Sequence, residues 1–317
     1  MRHIIPISGK DSLATAIVQR ARHPDIDFEY VFNDTRAELP DTYAWLEKVE
    51  ATLEIRIVRA GKSLVDIIAE QKILPSPKPR YCTKYAKIFP MRDYVGKDKA
   101  TIYLGIRADE NRVGGQETRN LSVAYPLREM GINLPLVYKI VADRDLMPPA
   151  FFWQRIHDGV RAILGADMLT WLTGELPPWY VAQLFAWRSR PNCFFCFYQR
   201  RYEWAGLLDN HPDLFTQAEL LQDLHGVSEN TKKHPFLWIG PGIGLSYIRE
   251  HFDRLVASRI ANVVSALHQR RQGQLFGHAV AAPARRPGRD LADGPAARFR
   301  QPRRRDLYPS LHPTSRT

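Results

Sequence analysis

Cysteine is scarce in this chain: there are three in 317 residues, at positions 82, 193 and 196. So small and odd a number excludes a disulfide framework, and the Cys-x-x-Cys pair among them points to metal or redox chemistry instead. Long apolar runs are missing too, which argues against a membrane-spanning helix, while 44% hydrophobic residues suffice for one substantial core or two smaller ones. The opening MRHIIPISGK has too short an apolar run, followed too soon by Lys and Asp, for a secretory signal. A cytoplasmic protein with no membrane partner is the expectation. The two commonest nucleotide fingerprints, GxxxxGK[ST] and GxGxxG, are also absent. Lysine vanishes from the end of the chain: from Arg270 onward there are eleven Arg, three Asp and no Lys, so most of the formal charge of +11 sits there. The body is only mildly basic.

What is present is organised around residues 3–21, HIIPISGKDSLATAIVQRA. His3 to Ile7 is an apolar run suited to a buried strand, and Leu13, Ala14, Ile17, Val18 and Ala21 recur at helical spacing. The turn between them, Ser8-Gly9-Lys10-Asp11-Ser12, offers backbone N–H groups at a helix N-terminus, a cradle for a phosphate. Phe28 to Phe32 reads as a second strand and is followed by Asp34-Thr35-Arg36-Ala37-Glu38-Leu39-Pro40, with Asp41 as a candidate cap for a helix buried through Trp45, Leu46 and Val49. Leu53 to Val58 alternates as a third strand, and Ser63 to Ala69 starts another helix with Leu64, Ile67 and Ile68 inward. A proline-rich stretch delivers Arg80-Tyr81-Cys82-Thr83-Lys84-Tyr85-Ala86-Lys87-Ile88-Phe89-Pro90. A fourth strand, Thr101 to Ile106, runs into Gly105-Ile106-Arg107-Ala108-Asp109-Glu110-Asn111-Arg112. Strands alternating with helices predict an α/β fold with ligand bound outside the carboxyl ends of the strands.

Beyond Val137 the chain turns aromatic and helical, with five of its seven tryptophans between Trp153 and Trp204. Such a stripe is read as core. A helix is expected from Ser246 to Gln269, and disorder after about Gln272, where Ala, Pro, Arg and Gly dominate.

Four segments carry a family resemblance. SGKDS resembles the SGGKDS pyrophosphate loop of the PP-loop ATP pyrophosphatases, one glycine short. DTRAELP resembles the DTGxExP loop of phosphoadenosine phosphosulfate reductases, with Arg36 in the place of a glycine. RYCTKYAKIFP and GIRADENR are similar to the R-x-C-T-x-x-x-K-x-x-P and G-I-R-x-D-E-x-R segments of that family, in the same order over roughly the first 115 residues. The resemblance implies a Rossmann-like parallel sheet flanked by helices over residues 1–136; pattern and composition divide the rest into a helical region with the CxxC over 137–272 and a basic tail over 273–317. It implies that Ser8, Gly9, Lys10, Asp11 and Ser12 hold the phosphates of ATP or a related adenine nucleotide, that Asp34 lies near the nucleoside, and that Lys87, Arg107 and Arg112 neutralise the remaining charge. Lys10, Asp11 and Arg107 are the expected catalytic residues.

The resemblance also gives Cys82 a role, since adenosine-phosphosulfate reductases carry a Cys-Cys pair at this place that joins a later CxxC around an iron–sulfur cluster. Three of four such ligands, Cys82, Cys193 and Cys196, are kept, which would hold a 4Fe–4S cluster with one iron open and would bring the three thiols together beside the nucleotide. Zinc with His211 as fourth ligand and buried thiols without metal are the alternatives. No cysteine follows Cys196, so the Glu-Cys-Gly nucleophile of true phosphosulfate reductases is absent. The favoured expectation is ATP α–β cleavage with Mg²⁺, adenylating an acceptor for sulfur transfer. The acceptor could be a nucleic acid held by the basic tail, with sulfur from a donor protein. Phosphosulfate reduction, or a non-catalytic nucleotide- or nucleic-acid-binding module, are the other readings.

Overall fold

Buried strands that are apolar on both faces require helices on both sides, and the chain supplies them by alternation. The computed structural model describes residues 1–112, 114–115, 117–226 and 236–275, apart from the side chains of 168–169 and 272–275. The expected disordered tail therefore lies, from residue 276, outside the described residues. In the first half come β1 (Arg2–Pro6), α1 (Lys10–Arg22), β2 (Phe28–Asn33), α2 (Pro40–Leu53), β3 (Ile57–Ala60) and α3 (Leu64–Gln71). A continuous helical run follows, made of α4 (Tyr81–Thr83), a π turn (Lys84–Ile88) and α5 (Phe89–Val95), then β4 (Ala100–Tyr103), β5 (Leu121–Ala124), α6 (Pro126–Glu129) and α7 (Leu134–Ala142).

The five strands form one sheet in the order β3-β2-β1-β4-β5, and every pairing is parallel. The chain moves outward from β1 to β3, then returns to place β4 on the other side of β1. The segments leaving the carboxyl ends of β1 and β4 therefore part at this point, opening a crevice between them. Period-two alternation divides the core: Ile5 and Ile7 pack with Leu13, Ile17, Trp45, Leu46, Val137 and Val141 on one face. Ile4, Val31 and Ile102 pack with Met91 and Val95 on the other.

The second half holds α8 (Gln154–Glu175), α9 (Pro178–Leu184), α10 (Arg201–Asn210), α11 (Pro212–His225), α12 (Ser246–Glu250) and α13 (Phe252–Leu275). Of the five tryptophans read as core, Trp153, Trp187 and Trp204 are fully buried, whereas Trp171 and Trp179 are only partly so; Trp238 is fully buried as well, and the same cluster takes in Ala37, Leu39, Leu64, Ile67 and Ile68 from the α/β half. Helix α7 straddles the expected boundary at residue 136 and packs on the sheet through Val137 and Val141.

Several expected bounds shift. Leu53 ends α2, and β3 begins only at Ile57, because Glu54 takes the left-handed conformation that terminates the helix. Asp41 lies in the first turn of α2; Leu39 occupies the cap position, with Pro40 at the helix start. The single helix expected from Ser246 breaks at His251 into α12 and α13. The fifth strand, Leu121–Ala124, has no counterpart among the expected elements: four residues with one buried side chain make too short a pattern to read.

The end of β2 is held by an unusually close approach. A Cβ added to Gly61 would lie 2.0 Å from the Asp34 carbonyl oxygen, a backbone atom that cannot rotate away. Gly61→Ala should therefore destabilise the protein by about 1–3 kcal/mol, read as a lower urea midpoint at constant slope. A shift under about 0.5 kcal/mol would show that the two strand ends separate freely.

Candidate active site at the switch between β1 and β4

The loop after β1 places Gly9 at the N-terminus of α1 in an extended conformation, φ 168°, which any residue can adopt. The missing second glycine thus imposes no left-handed turn here. Ser12 organises the loop: its Oγ accepts from Ser8 N at 2.9 Å and Gly9 N at 3.2 Å, and donates to Gly9 O at 2.9 Å. Lys10 Nζ lies 3.1 Å from Asp11 Oδ2.

The loop after β4 meets this one directly. Arg107 is only 6% exposed, and its Nη1 donates to Asp11 Oδ1 at 3.0 Å while Nε donates to Asp109 Oδ1 at 2.9 Å. Glu110 Oε1 lies 3.4 Å from the same Nη1. Burial alone would lower the guanidinium pKa, but the bonds and charges of Asp109, Asp11 and Glu110 outweigh it and push it up. Close packing of the two loops depends on Gly105, where a Cβ would stand 2.7 Å from Asp11 C and Ser12 N. Lys10, Asp11 and Arg107 are thus brought together as one charged network at the crevice.

The other expected residues are placed differently. Arg112 is exposed and pairs with Glu110 at 3.1 Å, reaching the network only through that carboxylate. Arg128 fixes the same loop by donating to Glu110 O and Arg112 O, and a cavity of about 500 Å³ opens there against Ala108 to Arg112 and Arg128. A second cavity, of about 540 Å³, lies among Arg20, His23, Tyr30 and Tyr94. It contains none of the motif residues, so the carboxyl ends of the strands remain the candidate site.

Asp34 accepts from Arg36 N and Tyr43 Oη, each at 2.8 Å. Arg36 keeps the positive φ, 55°, that a glycine would take without cost. Behind it, Thr35 Oγ1 donates to Glu38 Oε1 at 2.8 Å and lies 3.3 Å from Cys193 Sγ. Phe194 N donates to Ala37 O at 2.7 Å. The CxxC segment is therefore docked on the loop after β2. Burial pushes the Cys193 thiol up to about 12, and burial followed by the charge of Cys196 raises Cys82. Lys87, exposed on the π turn, acts on Glu38, Cys82 and Cys193 through its charge.

The three cysteines share one packed cluster, yet among the described residues no three His, Cys, Asp or Glu side chains form a group that could hold a metal ion. The expected 4Fe–4S ligand set, and zinc completed by His211, find no fit. Cys193 is turned to Thr35 and buried among apolar groups, which suits a neutral thiol.

Sequence reasoning missed Glu38, Thr35 and Tyr43 as a connected group, although two acids in DTRAELP were a signal. It also missed Asp109 and Glu110 as the partners of Arg107, and Arg188, which no motif announces.

Residues 2–137 match the family model described as phosphoadenosine phosphosulfate reductase domain. Comparison with curated proteins gives no match. Among solved structures, the chain is similar to the crystal structure of phosphoadenylyl-sulfate (PAPS) reductase from Candida auris, a phosphate complex. That similarity has 13% identity and a TM-score of 0.34, over 46% of this chain and 73% of that one.

Burial raises the pKa of Glu38, opposed in part by the Thr35 bond and the Lys87 charge. A carboxyl group with a raised folded-state pKa keeps a proton that the unfolded chain releases. Its stabilising contribution is complete below the ordinary value of about 4.3 and is lost as pH rises through the folded value. Glu38→Gln, which mimics the neutral acid, should match the wild-type melting temperature near pH 4 and exceed it at neutral pH. Equal pH dependence of the two proteins would show that Glu38 is not the titrating group.

Proposed function

From the match of residues 2–137 to the phosphoadenosine phosphosulfate reductase domain model, of the PP-loop superfamily, we propose that the loop from Ser8 to Ser12 binds the phosphates of ATP or a related adenine nucleotide. We propose further that the protein cleaves the α–β bond and adenylates an acceptor for sulfur transfer. The observation that carries this reading is the joining of the β1 and β4 loops by Asp11 and Arg107 at the topological switch point.

The residues divide the work. Backbone N–H groups of Ser8 and Gly9, now bonded to Ser12 Oγ, exchange that partner for phosphate oxygens, and the α1 N-terminus favours the negative charge. Lys10 stands where charge grows on departing pyrophosphate, and Arg107 is locked by three carboxylates so that it need not reorganise. Asp34 receives the nucleoside. The hard carboxylate oxygens of Asp11 suit Mg²⁺, which is commonly held by one or two carboxylates plus substrate phosphates and would supply further charge neutralisation. An acceptor oxygen attacks the α-phosphorus, the bond to pyrophosphate breaks, and the acceptor proton passes to solvent. No step is routed through the cysteines.

Lys10→Ala and Asp11→Ala should each lower pyrophosphate release from ATP by about 10²–10³-fold while leaving the melting temperature within a few degrees. Sulfite formation from phosphoadenosine phosphosulfate, with no pyrophosphate from ATP, would replace this reading by phosphosulfate reduction. Unchanged turnover in both variants would remove the site.

A nucleic acid is the acceptor class that the arginine-rich segment from Arg270 supports, through counterion release. Deleting residues 276–317 should flatten the salt dependence of nucleic-acid binding with almost no loss of thermal stability; an unchanged salt slope would place the acceptor elsewhere.

A further inference from the structure

Helix α9 buries none of its residues, yet it reaches the phosphate loop. Trp179 stacks on Tyr138 with ring centroids 4.4 Å apart and planes inclined by 22°. Tyr138 Oη donates to Gln183 Oε1 at 2.9 Å, a second tie to the same helix. Lys10 Nζ in turn lies 5.5 Å from the centre of the Tyr138 ring. The stack therefore joins α9 to the lysine at the head of the loop.

The segment that carries this contact has two well-marked ends. At one end Gly165 breaks α8 with φ 73° and ψ 172°, and a Cβ there would meet nothing within 4 Å, so no neighbour packs the break in place. At the other end Arg259 donates to Leu184 O and Ala186 O, and Phe185 is buried. Between them, among the described residues, Leu172 is the one fully buried side chain. The other ties are shallower: Trp171, Leu176 and Val181 pack half-buried against the helical core, Arg270 lies over Tyr180 at 4.3 Å and Arg271 over Trp171 at 5.7 Å. A stretch with one buried anchor and a glycine break opens at lower cost than the helices around it.

We propose that residues 166–183 form a hinged cover on the phosphate loop, turning at Gly165 and latched over Lys10 by the Tyr138–Trp179 stack. The inference rests on the reading of the loop given above. Its chemical use follows from that reading: closing the cover removes water from Lys10 and the bound phosphates, strengthens their attraction, and keeps water from an adenylate before the acceptor arrives.

Hydrogen exchange on the full chain, with and without Mg²⁺-ATP, tests this. Without nucleotide the amides of 166–183 should exchange at least tenfold faster than those of 154–164, and ATP should slow them at least tenfold together with residues 9–13. Trp179→Ala and Tyr138→Ala should abolish the slowing in 166–183 and leave that of 9–13 in place. Slowing at 9–13 without any at 166–183 overturns the cover and leaves the loop assignment standing. Slowing at neither overturns both. Equal exchange of the two halves of α8 before nucleotide is added also overturns the cover.

Discussion

The ion pair between Asp11 and Arg107 is the contact on which the site depends. It crosses the crevice between β1 and β4, the one place in this sheet where the chain reverses direction, and ties the first residues of α1 to the loop after β4. Exposed, such a pair would contribute little; here Arg107 is buried and gathers Asp109 and Glu110 as well. Taking away Arg107 would leave three carboxylates without their common cation, a loss that can reach about 3–5 kcal/mol, whereas without Asp11 the guanidinium keeps Asp109 and Glu110. Glycine at 105 is the steric condition for the whole arrangement, since any Cβ there would push the β4 loop away from Asp11.

The helical half depends on the α/β half in a similar way. Its core does not close on itself: it includes Leu64, Ile67 and Ile68 of α3 and Leu39 at the entrance to α2. The bond from Phe194 N to Ala37 O and the Thr35–Cys193 contact set the CxxC segment on the loop that carries Asp34. A ligand that shifts Asp34 would be felt at the cysteines through two residues of backbone.

Much of this architecture is legible in the order of the residues. The β1–α1 unit has a strand run, a phosphate turn and a helical stripe in nineteen consecutive residues (3–21), and local signals that agree with one another are the readable kind. Lys10, Asp11 and Arg107 can be named because each lies in a motif at a strand end. The partners of Arg107 are harder, since only the fold shows that the Asp109 and Glu110 carboxylates turn back toward it. Metal ligation by the cysteines is a spacing argument, and spacing does not say which way a buried thiol points. Cys193 points at a threonine. Arg36 shows another limit: the turn expected to need glycine is kept by an arginine at φ 55°, its N–H held by the Asp34 carboxylate. One charge-assisted hydrogen bond, about 1.5–3 kcal/mol, is enough to offset the roughly 1–2 kcal/mol cost of that conformation.

Arg188 explains why the CxxC segment has a fixed shape at all. Its side chain is 2% exposed, and the guanidinium donates to Asn192 O and Cys193 O at 2.5 Å, to Asn192 Oδ1 at 3.1 Å, and to Arg190 O and Gln199 Oε1 at 3.2 Å. All five acceptors are neutral, so burial lowers its pKa to about 10, with the charge of Glu203 the largest opposing influence. Desolvating a guanidinium costs several kcal/mol, and five bonds from a charged donor at about 1.5–3 kcal/mol each are of the size needed to offset it. Three of those bonds go to carbonyls of residues 190, 192 and 193, which no other single side chain gathers among the described residues. The turn that presents Cys193 to Thr35 is therefore wound around a buried cation, and its geometry has a cause inside the protein that is independent of what the thiols bind.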